Sequence, residues 1–176
     1  MELISTKYSN IENSIKRMLS PLENNQDFIR YLLNLNDYPL DTEYYDSNDV
    51  THPQNNFILP YDLVGTKNVL LTLFNPTIVT ESKIYFFFSH INFRSHEKYS
   101  MMVNHNYVMD LVIPYNVIQI GDKLRNIRLG DIIMQCLDNQ YISGIGKIVI
   151  EQGSDYVVNN IYQGFKFIIT VVDERV

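Results

Sequence analysis

Three histidines and one aspartate are the side chains of this sequence best suited to holding a metal ion. His90, His96 and His105 cluster around one strand-like run and the loop that follows it. Asp110 lies in the next run. Imidazole and carboxylate groups bind zinc, so this group would suit a small metal-dependent enzyme. Its spacing matches no compact ligand motif, and we therefore predict no metal site.

The stretch SGIGKIVIEQGS, residues 143–154, contains a Gly-x-Gly-Lys run that could be taken for a phosphate-binding loop. A Walker-type loop needs an earlier glycine and a Ser or Thr directly after the lysine, but Tyr141 and Ile148 occupy those two positions. Gly144 and Gly146 instead follow a predicted helix and precede a predicted strand. Positive φ angles and a tight passage are common there, so we predict a helix-to-strand connection.

No other residues form a recognisable catalytic group. Cys136 has apolar neighbours on a predicted helix face, which is typical of a buried thiol. Ser143 lacks the Gly-x-Ser-x-Gly context of a hydrolase, and the acidic residues between 41 and 49 do not reproduce the glycine-containing calcium loop. We therefore predict that the protein is not an enzyme and has no catalytic residue and no cofactor.

Size and composition indicate one globular domain, residues 1–176. The sequence is 45% apolar and 12% aromatic, which is enough for a sizeable core. A net charge of −6 without a basic run argues against duplex binding. Because we find neither a leader pattern nor an apolar stretch of the roughly 18–20 residues that span a bilayer, and only one cysteine, we expect an intracellular protein without a membrane partner.

Two short helices, or one kinked helix, are predicted for residues 1–36. Apolar residues recur there at helical spacing. Pro21 ends or kinks the first stretch, and a second stretch starts near Asn25 and stops at Pro39.

Residues 37–67 are predicted to form an irregular acidic arm. No Lys or Arg occurs between residues 31 and 66, whereas six acidic residues there equal the whole net charge. A connection this long inside a compact domain is usually functional or disordered, and we predict that it faces a partner. The candidate contact residues in the arm are Glu43, Tyr44, Tyr45, Asp46 and Asp49.

Strand-like runs dominate residues 68–176, and one clear helix interrupts them. The runs are 68–74, 82–93, 105–113, 144–153, 155–162 and 165–173, with turns at Gly153-Ser154 and Gln163-Gly164 and a helix from Gly121-Asp122 to Leu137. Gly130 inside the helix predicts a close approach to a sheet, and the last run alternates as a half-buried edge strand or outer-sheet strand does. This order predicts an α+β fold, a mostly antiparallel twisted sheet with helices packed on one face.

The second run and the loop after it are the predicted subunit contact. Both faces of the run are apolar, so something must cover each of them, and exposed Met and aromatic residues favour a protein partner. The alternative is single-stranded nucleic acid stacked beside Arg94 and Lys98, but two basic residues are too few. The candidate interface residues are Phe87, Ile91, Phe93, Tyr99, Met101 and Met102.

The C-terminal half also carries a family pattern. A strand with the run YVMDLVI precedes a segment with an arginine, then a helix, then GIG and a strand, and a YQGF turn leads into the last strand. Over Tyr107 to Glu174 this pattern resembles the neck and tail-completion proteins of long-tailed bacteriophages, including the tail terminators. The matching positions are Asp110, Arg125, Gly144, Gly146, Tyr162, Gly164 and Asp173.

The resemblance implies a tail-terminator-like fold and a structural virion protein of the phage neck. Such a protein forms a ring, expected to have six copies, that caps the tail tube and joins it to the head connector. Its partners would be its own copies, the tail tube protein and the connector or neck proteins, and DNA would pass through the lumen without specific binding. The alternatives are the metal-dependent enzyme with His90, His96, His105 and Asp110, and a regulatory module that binds a host protein through the acidic arm.

Overall fold

The computed structural model describes residues 5–37, 39–40, 57–95 and 103–173. Within these ranges it contains three α-helices and a six-stranded, mostly antiparallel sheet, so the predicted α+β fold is confirmed. The helices are α1 (Ser5–Glu23), α2 (Gln26–Leu33) and α3 (Arg125–Leu137), and the strands are β1 (Val69–Leu70), β2 (Tyr85–Ser95), β3 (Val103–Pro114), β4 (Gln119–Ile120), β5 (Lys123–Leu124), β6 (Tyr141–Ile142), β7 (Gly146–Val157) and β8 (Tyr162–Asp173).

The N-terminal residues form two helices rather than one. Pro21 lies inside α1, which continues to Glu23. The side chain of Asn25 then caps α2 by accepting a hydrogen bond from the Phe28 amide at 2.9 Å, because the first amides of a helix have no partner within it. The second start predicted near Asn25 is therefore confirmed.

The sheet consists of two hairpins joined side by side. Its strand order is β1-β2-β3-β8-β7-β6, and only the short β1–β2 pair is parallel. β3 and β8 pair along their whole length, from Val103↔Asp173 to Pro114↔Tyr162. The edge position, one of the two alternatives predicted for the last strand, is therefore wrong, since β8 lies between β3 and β7.

The turn predicted at Gly153-Ser154 does not form, and Gly153 instead lies inside β7. β7 runs through it to Val157, and the chain turns at residues 158–161. A Cβ atom on Gly153 would lie 3.3 Å from the Phe165 ring of β8, so the glycine makes room for an aromatic side chain. A glycine within a strand often marks such a close approach.

Four other glycines agree with their predicted roles or explain a shifted boundary. Gly144 and Gly146 have φ angles of 76° and 121° at the connection into β7, as predicted. A Cβ atom on Gly130 would lie 3.4 Å from the Phe165 ring and 3.5 Å from the Phe167 ring, so α3 passes close to β8. Gly121, with a φ of 59°, turns the small β4–β5 hairpin, and α3 therefore begins only at Arg125.

The two faces of the sheet are covered differently. On the helix face, side chains of α1, α2 and α3 pack with residues such as Phe86, Met109 and Ile169 into one large core. On the opposite face, the segment 69–84, which contains the short strand β1 and a 3₁₀ turn, folds back over a small second core. The predicted strand 68–74 is thus only Val69–Leu70, because most of that segment serves as a cover.

Candidate assembly surface

The β2–β3 hairpin carries the predicted interface residues that the structure describes. Ile91 is 45% exposed and Phe93 is 52% exposed. A β-bulge shifts the register between His90 and Asn92, so that Phe93 pairs with His105. The other predicted contact residues lie outside the described residues: Tyr99, Met101 and Met102 of the predicted loop, and Glu43, Tyr44, Tyr45, Asp46 and Asp49 of the predicted arm.

Phe87 requires a correction as an interface residue. Its side chain is 1% exposed and packs edge-on against Phe74 at 5.3 Å between ring centroids. Val112 of β3 and Tyr162 of β8 belong to the same small core. The face of β2 that we assigned to a neighbouring subunit is therefore covered at Phe87 by the protein's own segment 69–84.

Both sides of the sheet end in partly unpaired strands. β1 pairs only with Phe86 and Phe87 of β2, and β6 pairs only with Gly146 and Lys147 of β7. Among the residues described, the outer edge of β2 from 88 to 95 and that of β7 from 151 to 157 have no strand partner. These two edges face away from each other across the sheet, and each contains a bulge.

A polar ladder crosses four strands on the face opposite the helices. Asn106 of β3 donates to Asn92 of β2 at 2.7 Å, and Thr170 of β8 donates to Asn106 at 2.9 Å. Thr170 also contacts the carboxylate of Glu151 in the β7 bulge. Because a hydroxyl has one proton, it serves only one of these two acceptors at a time. The ladder links the two unpaired edges and favours one register of all four strands.

A buried carboxylate lies on the same face. Asp110 is 2% exposed, accepts a hydrogen bond from the Tyr156 hydroxyl at 2.9 Å and has the Lys166 ammonium 3.8 Å away. Burial raises the pKa of Asp110, while Tyr156 and Lys166 oppose that shift. Burial and the nearby carboxylate raise the pKa of Tyr156. The Tyr156 ring lies over Gly164, where a Cβ atom would collide with it. This group joins β3, β7 and β8.

Arg125 is fully buried and binds backbone carbonyls at the C-terminal end of α2. Its Nε donates to the Val117 carbonyl at 2.8 Å, and its terminal nitrogens donate to the carbonyls of Tyr31 at 2.9 Å and Asn34 at 2.7 Å. A fourth hydrogen bond reaches the Asn36 carbonyl at 2.7 Å. Burial lowers the pKa of Arg125 to about 10, so it remains a cation at neutral pH. A cation suits the negative end of a helix.

The structure brings together only two members of the predicted metal group. His90 Nε2 lies 3.4 Å from His105 Nδ1, and burial followed by His105 lowers the pKa of His90. Asp110 lies five positions from His105 on a regular strand, so it projects from the opposite face. His96 lies outside the described residues. Among the described residues no group of three or more metal-binding side chains occurs.

The contacts of Arg125 and Asp110 were not predicted from the sequence. Arg125 was noted only as a position in a family pattern, and Asp110 was noted there and as a possible metal ligand. A charged residue inside the apolar run VMDLVI nevertheless signals a buried carboxylate that needs partners. The carbonyls that Arg125 binds are 8 to 94 residues away in sequence, and no local pattern identifies them. Both residues hold elements together rather than line a cleft.

Comparisons with known proteins identify the family. No curated protein matches this sequence. The family profile YomW matches residues 25–171, which include α2, α3, strands β1 to β7 and most of β8. The name is of the Bacillus prophage type and indicates a phage-related protein. No helix among the described residues is long and apolar enough to cross a membrane. The matched range covers most of the chain, and the protein therefore belongs to the YomW family.

Proposed function

We propose that this protein is a structural component of the phage neck, a tail-completion ring of the tail-terminator type. Its copies would associate through the sheet, cap the tail tube and join it to the head connector. The phage-type family name supports a phage setting. The main structural support is that one sheet has two partly unpaired edges on opposite sides, the outer edge of β2 (88–95) and that of β7 (151–157).

Unpaired edges favour association because their backbone amides and carbonyls can bind another strand. When the β2 edge of one copy meets the β7 edge of the next, the contact is heterologous, and repeated contacts close into a ring if the rotation between copies allows it. The bulges at Ile91 and Glu151 limit indiscriminate pairing, since a bulge bends the strand and leaves a residue unpaired.

The apolar side chains beside the β2 edge supply a second reason for association. Ile91 and Phe93 are about half exposed on the hairpin, and burying such groups gives roughly 25 cal/mol for each Å² of apolar surface. The net charge of −6 suits a ring through which DNA passes, because like charges prevent sticking to the lumen wall.

The test compares two substitutions at exposed apolar residues. Phe93→Asp places a charge in the proposed contact. Ile127→Asp is the matched control, since Ile127 is 46% exposed and lies on α3, outside the sheet and the arm. We expect mass photometry and negative-stain imaging to show rings, expected to have six copies, for the parent and for Ile127→Asp. Phe93→Asp should shift the protein toward monomers with an unchanged circular dichroism spectrum.

Phe87 is excluded from this test because a charge in the small second core would unfold the protein rather than report on assembly. The proposal fails if the parent forms no ring either alone or with the tail tube protein. It also fails if virions labelled for this protein show it away from the neck. Equal assembly of Phe93→Asp and the parent would remove the hairpin from the interface.

A further inference from the structure

We infer that the imidazoles of His90 and His105 together bind one divalent transition-metal ion such as zinc or copper. This site is independent of the proposed neck function. It is also distinct from the four-residue group considered in the sequence, because Asp110 lies on the other face of the sheet.

The distance between the two rings supports chelation. Two nitrogens that bind one tetrahedral zinc ion at about 2.0–2.1 Å lie about 3.3–3.4 Å apart. His90 Nε2 and His105 Nδ1 are separated by 3.4 Å. A direct hydrogen bond from nitrogen is usually shorter, about 2.9–3.0 Å. The separation therefore fits one shared metal ion, and without a metal it also allows a hydrogen bond between the two rings.

The β-bulge creates this spacing. His90 pairs with Tyr107, but the extra residue Ile91 lets Phe93 pair with His105. His90 and His105 thus become diagonal neighbours on the same face of two strands, with ring centroids 5.5 Å apart. Bulges commonly redirect side chains beside functional sites.

The surroundings of the pair also suit a metal ligand. The edge of the Tyr107 ring packs against the His90 ring at 5.1 Å between centroids, which helps to fix the orientation of His90. Both histidines are half-buried, so they are held by the sheet but remain open to solvent. Water can complete the coordination, and imidazole is a preferred ligand of zinc and copper.

The experiment uses the full chain with Cu²⁺ and Zn²⁺ as probes. Electron paramagnetic resonance should show one Cu²⁺ per chain bound by two imidazole nitrogens. Zn²⁺ should raise the thermal midpoint of the parent. Either His90→Gln or His105→Gln should reduce the affinity by at least roughly 10–100-fold, the loss that even outer-shell changes cause. Circular dichroism at each step checks that the variants are folded.

His52→Gln is the matched control, since it removes a histidine whose position in the sequence is outside β2 and β3 and leaves the pair intact. It should bind both probes as the parent does. The inference is overturned if His90→Gln and His105→Gln retain the parental affinity. It is equally overturned if the bound Cu²⁺ shows only one nitrogen ligand, or if Zn²⁺ leaves the thermal midpoint of the parent unchanged.

Discussion

Replacing Arg125 with Met should strongly destabilise the fold while preserving the volume of the side chain. Arg125 donates to the carbonyls of Tyr31 and Asn34 at the end of α2, and both hydrogen bonds are buried. Its hydrogen bonds to Val117 and Asn36 are partly exposed. Methionine supplies no donor, so the two buried carbonyls would lose this partner, whereas water can replace the arginine at the other two.

The expected magnitude follows from those two carbonyls. Each buried hydrogen bond that an acceptor loses costs up to about 1–3 kcal/mol, which gives up to about 2–6 kcal/mol for the two lost hydrogen bonds. Part of this loss is offset because the variant no longer buries a charge. We therefore expect the free energy of unfolding to fall by about 3–4 kcal/mol. The free energy of unfolding of Arg125→Lys should lie between those of Arg125→Met and the parent, since a lysine has three donors but no planar guanidinium.

Urea unfolding followed by far-ultraviolet circular dichroism measures this loss, because the chain contains no tryptophan for fluorescence. Arg128→Met on the same helix is the control. Its ion pair with Asp131 is exposed and 4.0 Å long, so the control should change stability by about 0.5 kcal/mol or less. All proteins are compared at one concentration, since assembly adds to apparent stability. An Arg125→Met variant within about 1 kcal/mol of the parent would refute the argument from unpaired carbonyls.

Two further predictions concern the face opposite the helices. Gly164→Ala should lower the free energy of unfolding by about 1–3 kcal/mol, because the new Cβ atom collides with the Tyr156 ring. Urea unfolding measures this loss, and Tyr156→Phe, which keeps the ring and removes only the hydroxyl, is the comparison. An unchanged urea midpoint for Gly164→Ala would contradict the close approach of the ring. Asp110→Asn should be at least as stable as the parent at neutral pH. Burial raises the pKa of Asp110 above its ordinary value of 3.8, so its contribution to stability is fully present below that value and is lost as the pH rises through the folded-state pKa. As the pH rises from about 3 to 8, the thermal midpoint should therefore decrease less for Asp110→Asn than for the parent. Identical pH profiles for the two proteins would contradict this prediction.

Local patterns in the sequence predicted the helices and most strands because those elements depend on near neighbours. The alternation of residues 84–88 gave the correct two faces of β2, and Asn25 gave the correct start of α2. Gly144 and Gly146 were correctly assigned because positive φ angles are a backbone property of a few residues. The sequence could also have separated Asp110 from His105, since an odd spacing of five on a strand places two side chains on opposite faces.

Tertiary contacts decided the features that the sequence analysis missed. Nothing local distinguishes Gly153, which makes room for Phe165, from a glycine that turns the chain. Phe87 was predicted to contact another subunit because the apolar residues of the segment 69–84 have no regular spacing, so the sequence did not show that this segment packs over Phe87. Of the candidate assembly surface, Ile91 and Phe93 are exposed as an interface requires, and their partner stays a prediction.

The strand order also limits the geometry of any edge-to-edge assembly. Neighbouring strands are rotated by roughly 20–25°, so the three steps from β2 through β3 and β8 to β7 accumulate about 60–75° between the outer strands. Copies that join these strands cannot be stacked by simple translation. Successive copies must turn relative to one another, so edge pairing produces a twisted assembly and disfavours a flat fibril.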